Sequence, residues 1–233
     1  MRKLKAIILL FIAFATQVVA QSTVHLCAGT NHNFGVPYTI GSSYNWQVQA
    51  NTTIATIISG NGTERIIMDL NNSGVFQLLV EEIDVNGCSG YDSVLVEIHA
   101  LPNPNIYALG PISFCEGDSV LLQVDSNYVA QSWNNGTTSI YTYADTSGNY
   151  FVNVTDANGC SNISNTINID VHPNPVADFI VDGICTNIAS QCINTSTVSV
   201  GNIVSSIWYL GNGEVVNGDS LLYTYTFAGD YFT

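Results

Sequence analysis

The chain has 233 residues, 46% of them hydrophobic and 9% charged, with 18 Asp and Glu against 4 Lys and Arg. Three of those cations, Arg2, Lys3 and Lys5, stand at the extreme N-terminus, so Arg65 alone opposes the acids over the rest of the chain. Such a surface excludes nucleic acid, which needs clustered Lys and Arg to displace counterions, and excludes attraction to anionic membranes. It favours solubility and leaves room for cations.

Residues 1–20 read as a secretory signal peptide. Arg2, Lys3 and Lys5 form the positive segment, Ala6 to Val19 the apolar core, and Val18-Val19-Ala20 the small residues before cleavage at Gln21. That apolar run is too short to span a bilayer, and no later run approaches the ~18 apolar residues that spanning requires. The expectation is an exported chain, extracellular or at the cell surface and outer membrane-associated, with no direct membrane insertion.

From Gln21 to His172 the periodicity is that of strands. Tyr44-Asn45-Trp46-Gln47-Val48-Gln49 alternates, as do Ser93 to Ile98 and Thr166 to Val171. Between such runs lie Ser59-Gly60-Asn61-Gly62, Asn134-Asn135-Gly136 and Asn158-Gly159, whose Asn-Gly pairs supply the positive φ of tight hairpins. No sustained helical period occurs beyond the signal peptide, so the fold class is all-β. Leu101-Pro102-Asn103-Pro104 and His172-Pro173-Asn174-Pro175 read as stiff connectors, because Pro fixes φ and extends the residue before it. They divide the chain into domains at 21–101, 102–172 and 173–233.

The chain also repeats itself. Asp84-Val85-Asn86-Gly87-Cys88 returns as Asp156-Ala157-Asn158-Gly159-Cys160, and the order Cys27, Trp46, Cys88 returns as Cys115, Trp133, Cys160. Ser73-Gly74-Val75-Phe76 returns as Ser147-Gly148-Asn149-Tyr150 and as Ala228-Gly229-Asp230-Tyr231. The third copy stands so near Thr233 that the third domain is expected to lack its last strands, which makes the sequence a fragment. Six cysteines in an exported chain read first as disulfides. The repeat suggests Cys27–Cys88 and Cys115–Cys160, and leaves Cys185 and Cys192 as a short-loop pair. Each long loop would contribute roughly 3–4 kcal/mol by restricting the unfolded chain.

A Cys, a Trp and a closing Cys resemble the outline of an immunoglobulin-like sandwich, in which the Trp packs against an inter-sheet disulfide. That resemblance implies core positions for Trp46 and Trp133, and Trp208 takes the same place in the third domain. There, Trp208-Tyr209-Leu210-Gly211-Asn212-Gly213, Tyr223-Thr224-Tyr225 and Ala228-Gly229-Asp230-Tyr231 resemble the hallmark of the PKD domain. The hallmark runs Trp-Asp-Phe-Gly-Asp-Gly, His-Thr-Tyr and Ala-Gly-x-Tyr, so Tyr209, Leu210 and Asn212 depart from it and weaken any acidic site. Phe114 to Leu122 and Thr155 to Ser161 are similar to PKD-like and Ig-like repeats in surface and type IX-secreted proteins of gliding and polysaccharide-degrading bacteria. The resemblance implies tandem sandwiches, beads on a string, truncated at the C-terminal end.

Asp84 and Asn86, and likewise Asp156 and Asn158, place oxygen ligands two apart before a Gly, as calcium loops do. Neither has a Glu at the twelfth position, and a hairpin explains both, so the cofactor expectation is none, with calcium as the alternative. His25, Cys27 and His32 form a thin zinc candidate in which Cys27 already has a suggested disulfide partner. Tyr38, Tyr44, Tyr128, Tyr141 and Tyr143 are candidates for an exposed binding face. Asp92-Ser93-Val94, Asp118-Ser119-Val120 and Asp219-Ser220-Leu221 resemble a short O-glycosylation motif and equally suit turn-to-strand junctions. No nucleophile elbow, zinc-protease motif or phosphate loop occurs, and the four His are scattered. The reading is a non-catalytic extracellular stalk or adhesion module of a larger protein, contacting an unidentified protein or glycan. Its alternative is the accessory region of a secreted polysaccharide hydrolase, a carbohydrate-binding or spacer segment.

Overall fold

The computed structural model describes residues 22–49, 53–183 and 185–231, and their regular structure is strand throughout. The expected signal peptide, residues 1–20, lies outside the described residues. Among those described, no helix is long and apolar enough to cross a membrane.

The first repeat contains β1 (Thr23–Cys27), β2 (Gly29–Gly35), β3 (Ser43–Gln49), β4 (Ala55–Ser59), β5 (Arg65–Leu70), β6 (Gly74–Ile83) and β7 (Ser89–His99). They make two sheets, ordered β1-β7-β6-β3 and β2-β5-β4. Strict alternation is what lets the sheets face each other. Tyr44 and Trp46 point inward from β3, while Asn45, Gln47 and Gln49 stay in water. Ile66, Met68 and Leu70 meet Phe76, Leu78 and Val96 in a core that Trp46 completes. The Trp46 indole donates to the Thr63 carbonyl at 2.9 Å, so its burial leaves no donor without a partner.

The second repeat contains β8 (Ile106–Ala108), β9 (Ser113–Cys115), β10 (Val120–Val124), β11 (Ala130–Trp133), β12 (Tyr141–Ala144), β13 (Gly148–Tyr150), β14 (Val152–Thr155), β15 (Ser161–Ile163) and β16 (Ile167–His172). Its sheets are β12-β10-β8, β11-β14-β15 and β13-β16-β9. The sequence repeat is a structural one. β1 runs parallel to β7 with Cys27 opposite His99, and β9 runs parallel to β16 with Cys115 opposite His172. The Trp133 indole donates to the Ser139 carbonyl at 2.8 Å, as Trp46 does to Thr63.

The third repeat contains β17 (Phe179–Asp182), β18 (Ser190–Asn194), β19 (Ile207–Tyr209), β20 (Val215–Asn217) and β21 (Ser220–Tyr223). They form β17-β18-β21 and the hairpin β19-β20, whose turn is the Leu210–Gly213 stretch with Gly211 and Gly213 at positive φ. Trp208 departs from the expected core position. It is only half-buried, edge-on to Phe179 at 5.6 Å, with its indole on the Gly218 carbonyl at 2.7 Å.

The chain forms two compact units, with one break at the end of the first proline connector. The first holds the described residues up to Pro104 with Asn127–Gln131 and Asn153–Ser164, and the second holds Asn105–Ser126, Ser132–Val152 and Asn165 onward.

The disulfide found lies within the first unit and is not one that symmetry suggests. Cys27 bonds Cys160, 133 residues away, while Cys88, Cys115, Cys185 and Cys192 are thiols. The parallel register gives the reason. Cys27 lies level with His99 at the far end of β7, whereas Cys88 immediately precedes Ser89 at its start. Ten residues of strand separate those levels by about 33 Å, and a disulfide needs Cα atoms within about 7 Å. Cys115 holds the same position beside His172 at the end of β16. The short-loop pair is not formed either: Cys192 is a buried thiol on β18 and Cys185 an exposed one.

Non-reducing peptide mapping is expected to recover a Cys27–Cys160 cross-link and alkylatable thiols at Cys88, Cys115 and Cys185. Cys160→Ser should lower stability by up to about 5 kcal/mol, the loop-entropy limit for so long a loop. Cys88→Ser should change it by less than about 0.5 kcal/mol, as exposed surface substitutions do.

Candidate binding face

The outer surface of the β8-β10-β12 sheet brings tyrosines together in the second unit. Ile106, Val120, Leu122, Val124, Thr142 and Ala144 turn inward and are buried. Alternation then obliges their neighbours to face water. Antiparallel register sets Gln123 opposite both Tyr107 and Tyr141, and Leu121 opposite Tyr143. The Leu109 amide donates to the Leu121 carbonyl at 2.8 Å, extending the second row. Two rows result, Tyr107–Gln123–Tyr141 and Leu109–Leu121–Tyr143. Their tyrosines are 39%, 47% and 61% exposed for Tyr107, Tyr141 and Tyr143. With strands about 4.8 Å apart, each row spans three strands in about 10 Å. No charged side chain belongs to either row, although the chain is strongly acidic. Chemically the face offers apolar rings with polar rims and one amide that both donates and accepts.

Of the tyrosines singled out in sequence, Tyr38, Tyr141 and Tyr143 are exposed and Tyr128 is half-buried. Tyr44 is buried, and its hydroxyl accepts the Thr39 amide at 2.8 Å. Sequence reasoning passed over Tyr107, although the Ile106-Tyr107 step after the proline connector already carries the inward–outward alternation. It also passed over Tyr91, which donates to Glu81 at 2.7 Å. That bond holds the Glu81 carboxyl below its ordinary value and pushes the Tyr91 hydroxyl up.

The two Asp-x-Asn-Gly-Cys stretches are hairpin turns. Asp84 Oδ1 accepts the Asn86 and Cys88 amides, both at 2.8 Å, and Gly87 has φ 81°. Asp156 Oδ1 accepts the Asn158 and Cys160 amides, both at 2.9 Å, and Gly159 has φ 80°. One oxygen of each carboxylate, Oδ1, is thus turned onto backbone donors. The Cys88 and Asn86 amides hold the Asp84 carboxyl below its ordinary value.

The sequence trio His25, Cys27 and His32 is not brought together. Cys27 is oxidised, and His32 lies on β2 opposite Met68, in the other sheet from β1. His172 Nε2 meets both Ser113 Oγ at 2.9 Å and Asp170 Oδ2 at 3.5 Å. A serine relay needs the acid on the imidazole nitrogen that the serine does not use, so this trio lacks relay geometry.

The third repeat holds an open cleft of about 750 Å³ lined by Phe179, Trp208, Leu210, Tyr225 and Tyr231. Cys192 also lines it, and burial pushes its thiol up. Tyr225 packs against Tyr231 with the rings tilted by 32° and their centroids 4.1 Å apart, and it donates to the Leu210 carbonyl at 3.0 Å.

A family model for a PKD-like domain matches residues 13–97, which take in most of the first repeat. No curated protein matches the chain in sequence. Among solved structures, the chain is similar to the Bacteroides ovatus mixed-linkage glucan utilization locus SGBP-B in complex with a mixed-linkage heptasaccharide. The identity is 15% and the TM-score 0.30, over 92% of this chain and 59% of that one. It is also similar to the mouse nectin-like molecule 4 ectodomain (Ig1–Ig3), at 11% identity and TM-score 0.35, over 87% of each chain. The Clostridium thermocellum CbhA fibronectin(III)-like modules match at 13% identity and TM-score 0.32, over 66% of this chain and 93% of theirs. The family match is confined to the N-terminal part of the chain, and the described residues fold as all-β tandem sandwiches.

Because the folded-state pKa of Asp84 is depressed, its ionised form stabilises the hairpin above the unfolded-state pKa, and that contribution disappears as pH falls through the folded value. A carboxyl carbon NMR titration should therefore place the Asp84 midpoint below its ordinary value of 3.8. A midpoint at or above that value would contradict the hydrogen bonds described for the turn.

Proposed function

We propose that the chain is a non-catalytic extracellular module that extends a larger secreted or surface protein and contacts a glycan or protein through the β8-β10-β12 face. The observation that carries this reading is the pair of uncharged rows, Tyr107–Gln123–Tyr141 and Leu109–Leu121–Tyr143. Tyrosine supplies rigid contact area at low entropic cost, which is why interfaces concentrate it. An acidic chain that leaves this patch neutral removes the electrostatic penalty for binding a neutral or acidic ligand. The Cys27–Cys160 bond would hold the strands firmly under load. Export by the N-terminal signal peptide, anchoring through a larger protein and lack of catalytic chemistry belong to the same reading.

The second reading, an accessory region of a polysaccharide hydrolase, is favoured by Gln123 lying between two tyrosines. Sugar C–H faces pack on phenol rings while an amide serves ring hydroxyls. Both readings use the same surface and differ in whether the full protein carries a hydrolase domain.

The test is a glycan array run beside capture of envelope and extracellular proteins with the purified chain. Tyr107→Ala, Tyr141→Ala and Tyr143→Ala combined should weaken whichever binding is found by more than tenfold, with the thermal midpoint changed by only a few degrees. Tyr38→Ala should bind as the parent does. Full binding by the triple variant would remove this face from the account.

A further inference from the structure

The parallel pairing of β1 with β7 assembles three metal-ligating side chains that lie far apart in sequence. The register sets His25 opposite Glu97 and Cys27 opposite His99. His25 Nδ1 lies 3.3 Å from Glu97 Oε2 and 3.3 Å from His99 Nε2, and the three ligand atoms all fall within 4.8 Å of one another. We propose that His25, Glu97 and His99 form a zinc-binding site on the first repeat.

The distances suit the ion. Tetrahedral zinc holds nitrogen and oxygen ligands at about 2.0–2.1 Å, which sets neighbouring ligand atoms about 3.3 Å apart. Two imidazoles and one carboxylate are a donor set for zinc, whereas calcium and magnesium require oxygen ligands almost throughout. Three protein ligands leave a fourth position for water or a group from a partner. The site is open, since the His25 and Glu97 side chains are 59% and 40% exposed. Its backbone is held firmly. The Ala28 amide donates to the His99 carbonyl at 2.8 Å, and Cys27, two residues from His25, is tied to Cys160.

The second repeat supplies an internal control. Its corresponding pair, β9 and β16, places Ser113 opposite Asp170 and Cys115 opposite His172. The acid and the histidine beside the cysteine are kept, but Ser113 stands where His25 stands. A neutral hydroxyl is a poor zinc ligand, so the second copy has two ligands and the first has three. Zinc is therefore expected on the first repeat alone.

The test uses the tag-free chain from Gln21, stripped of metal, with the exposed thiols of Cys88, Cys115 and Cys185 blocked by alkylation so that they cannot bind zinc. Competition with a chromophoric chelator should give one zinc per chain, and cobalt substitution should produce the intense visible bands of a tetrahedral site. His25→Ser, which copies the second repeat, should weaken zinc binding at least thirtyfold, and Glu97→Gln at least tenfold. His32→Ala and His172→Ala should leave it unchanged, and Ser113→His should add a second equivalent. No zinc bound by the parent chain, or equal affinity in His25→Ser, would overturn the proposal. Circular dichroism of each variant separates loss of a ligand from loss of the fold.

Discussion

The parallel docking of the opening strand of a repeat onto its closing strand decides where the cysteines and histidines come to lie. Every other pairing in the first repeat is antiparallel, and two of the four, β4 with β5 and β6 with β7, join elements adjacent in sequence. The β1–β7 pairing instead spans the whole repeat and covers the outer side of β7, leaving β1 as the edge strand of the sheet. Because the pairing is parallel, the end of β1 lies level with the end of β7. Cys27 is thereby carried away from the Asp84–Cys88 hairpin and towards its actual partner, Cys160. The same register brings His25 to Glu97, and its copy in the second repeat brings Ser113 to Asp170.

Much of this was legible from local pattern. Alternation in Tyr44 to Gln49 turns Trp46 inward, where it is buried, and the Asp-x-Asn-Gly-Cys stretches form turns whose chemistry is complete within five residues. The internal repeat is real at the level of hydrogen bonds, down to the indole donors of Trp46 and Trp133. What the sequence did not show is long-range register. Nothing local indicates that His25 faces Glu97 or that Cys27 ends beside His99, and the symmetry of the cysteines points to a pairing that strand length forbids. Trp208 illustrates a different failure. Its motif places it correctly on a strand beside a glycine-rich turn, but burial depends on what the facing sheet supplies.

The surface chemistry divides along the same lines. Asp84 and Asp156 are held by backbone amides, so a large part of the acidity near the hairpins is structural. The β8-β10-β12 face is the reverse case, an uncharged pair of rows produced by simple alternation over a buried Val120–Leu122–Val124 spine. A binding surface made this way depends on strand pairing and not on loop conformation. Its tyrosines are therefore presented in a set order and spacing. The first repeat, with its His25–Glu97–His99 cluster, and the second, with its phenol rows, carry different chemistry on one repeated plan.

The most direct test of the account is through-space NMR of the parallel pair. Contacts between Val24 and Val96 and between Leu26 and Ile98 are predicted, with matching contacts between Phe114 and Val171 in the second repeat. Contacts placing Cys27 beside Cys88 and the start of β7 would contradict the register, and with it the disulfide and the grouping of His25, Glu97 and His99.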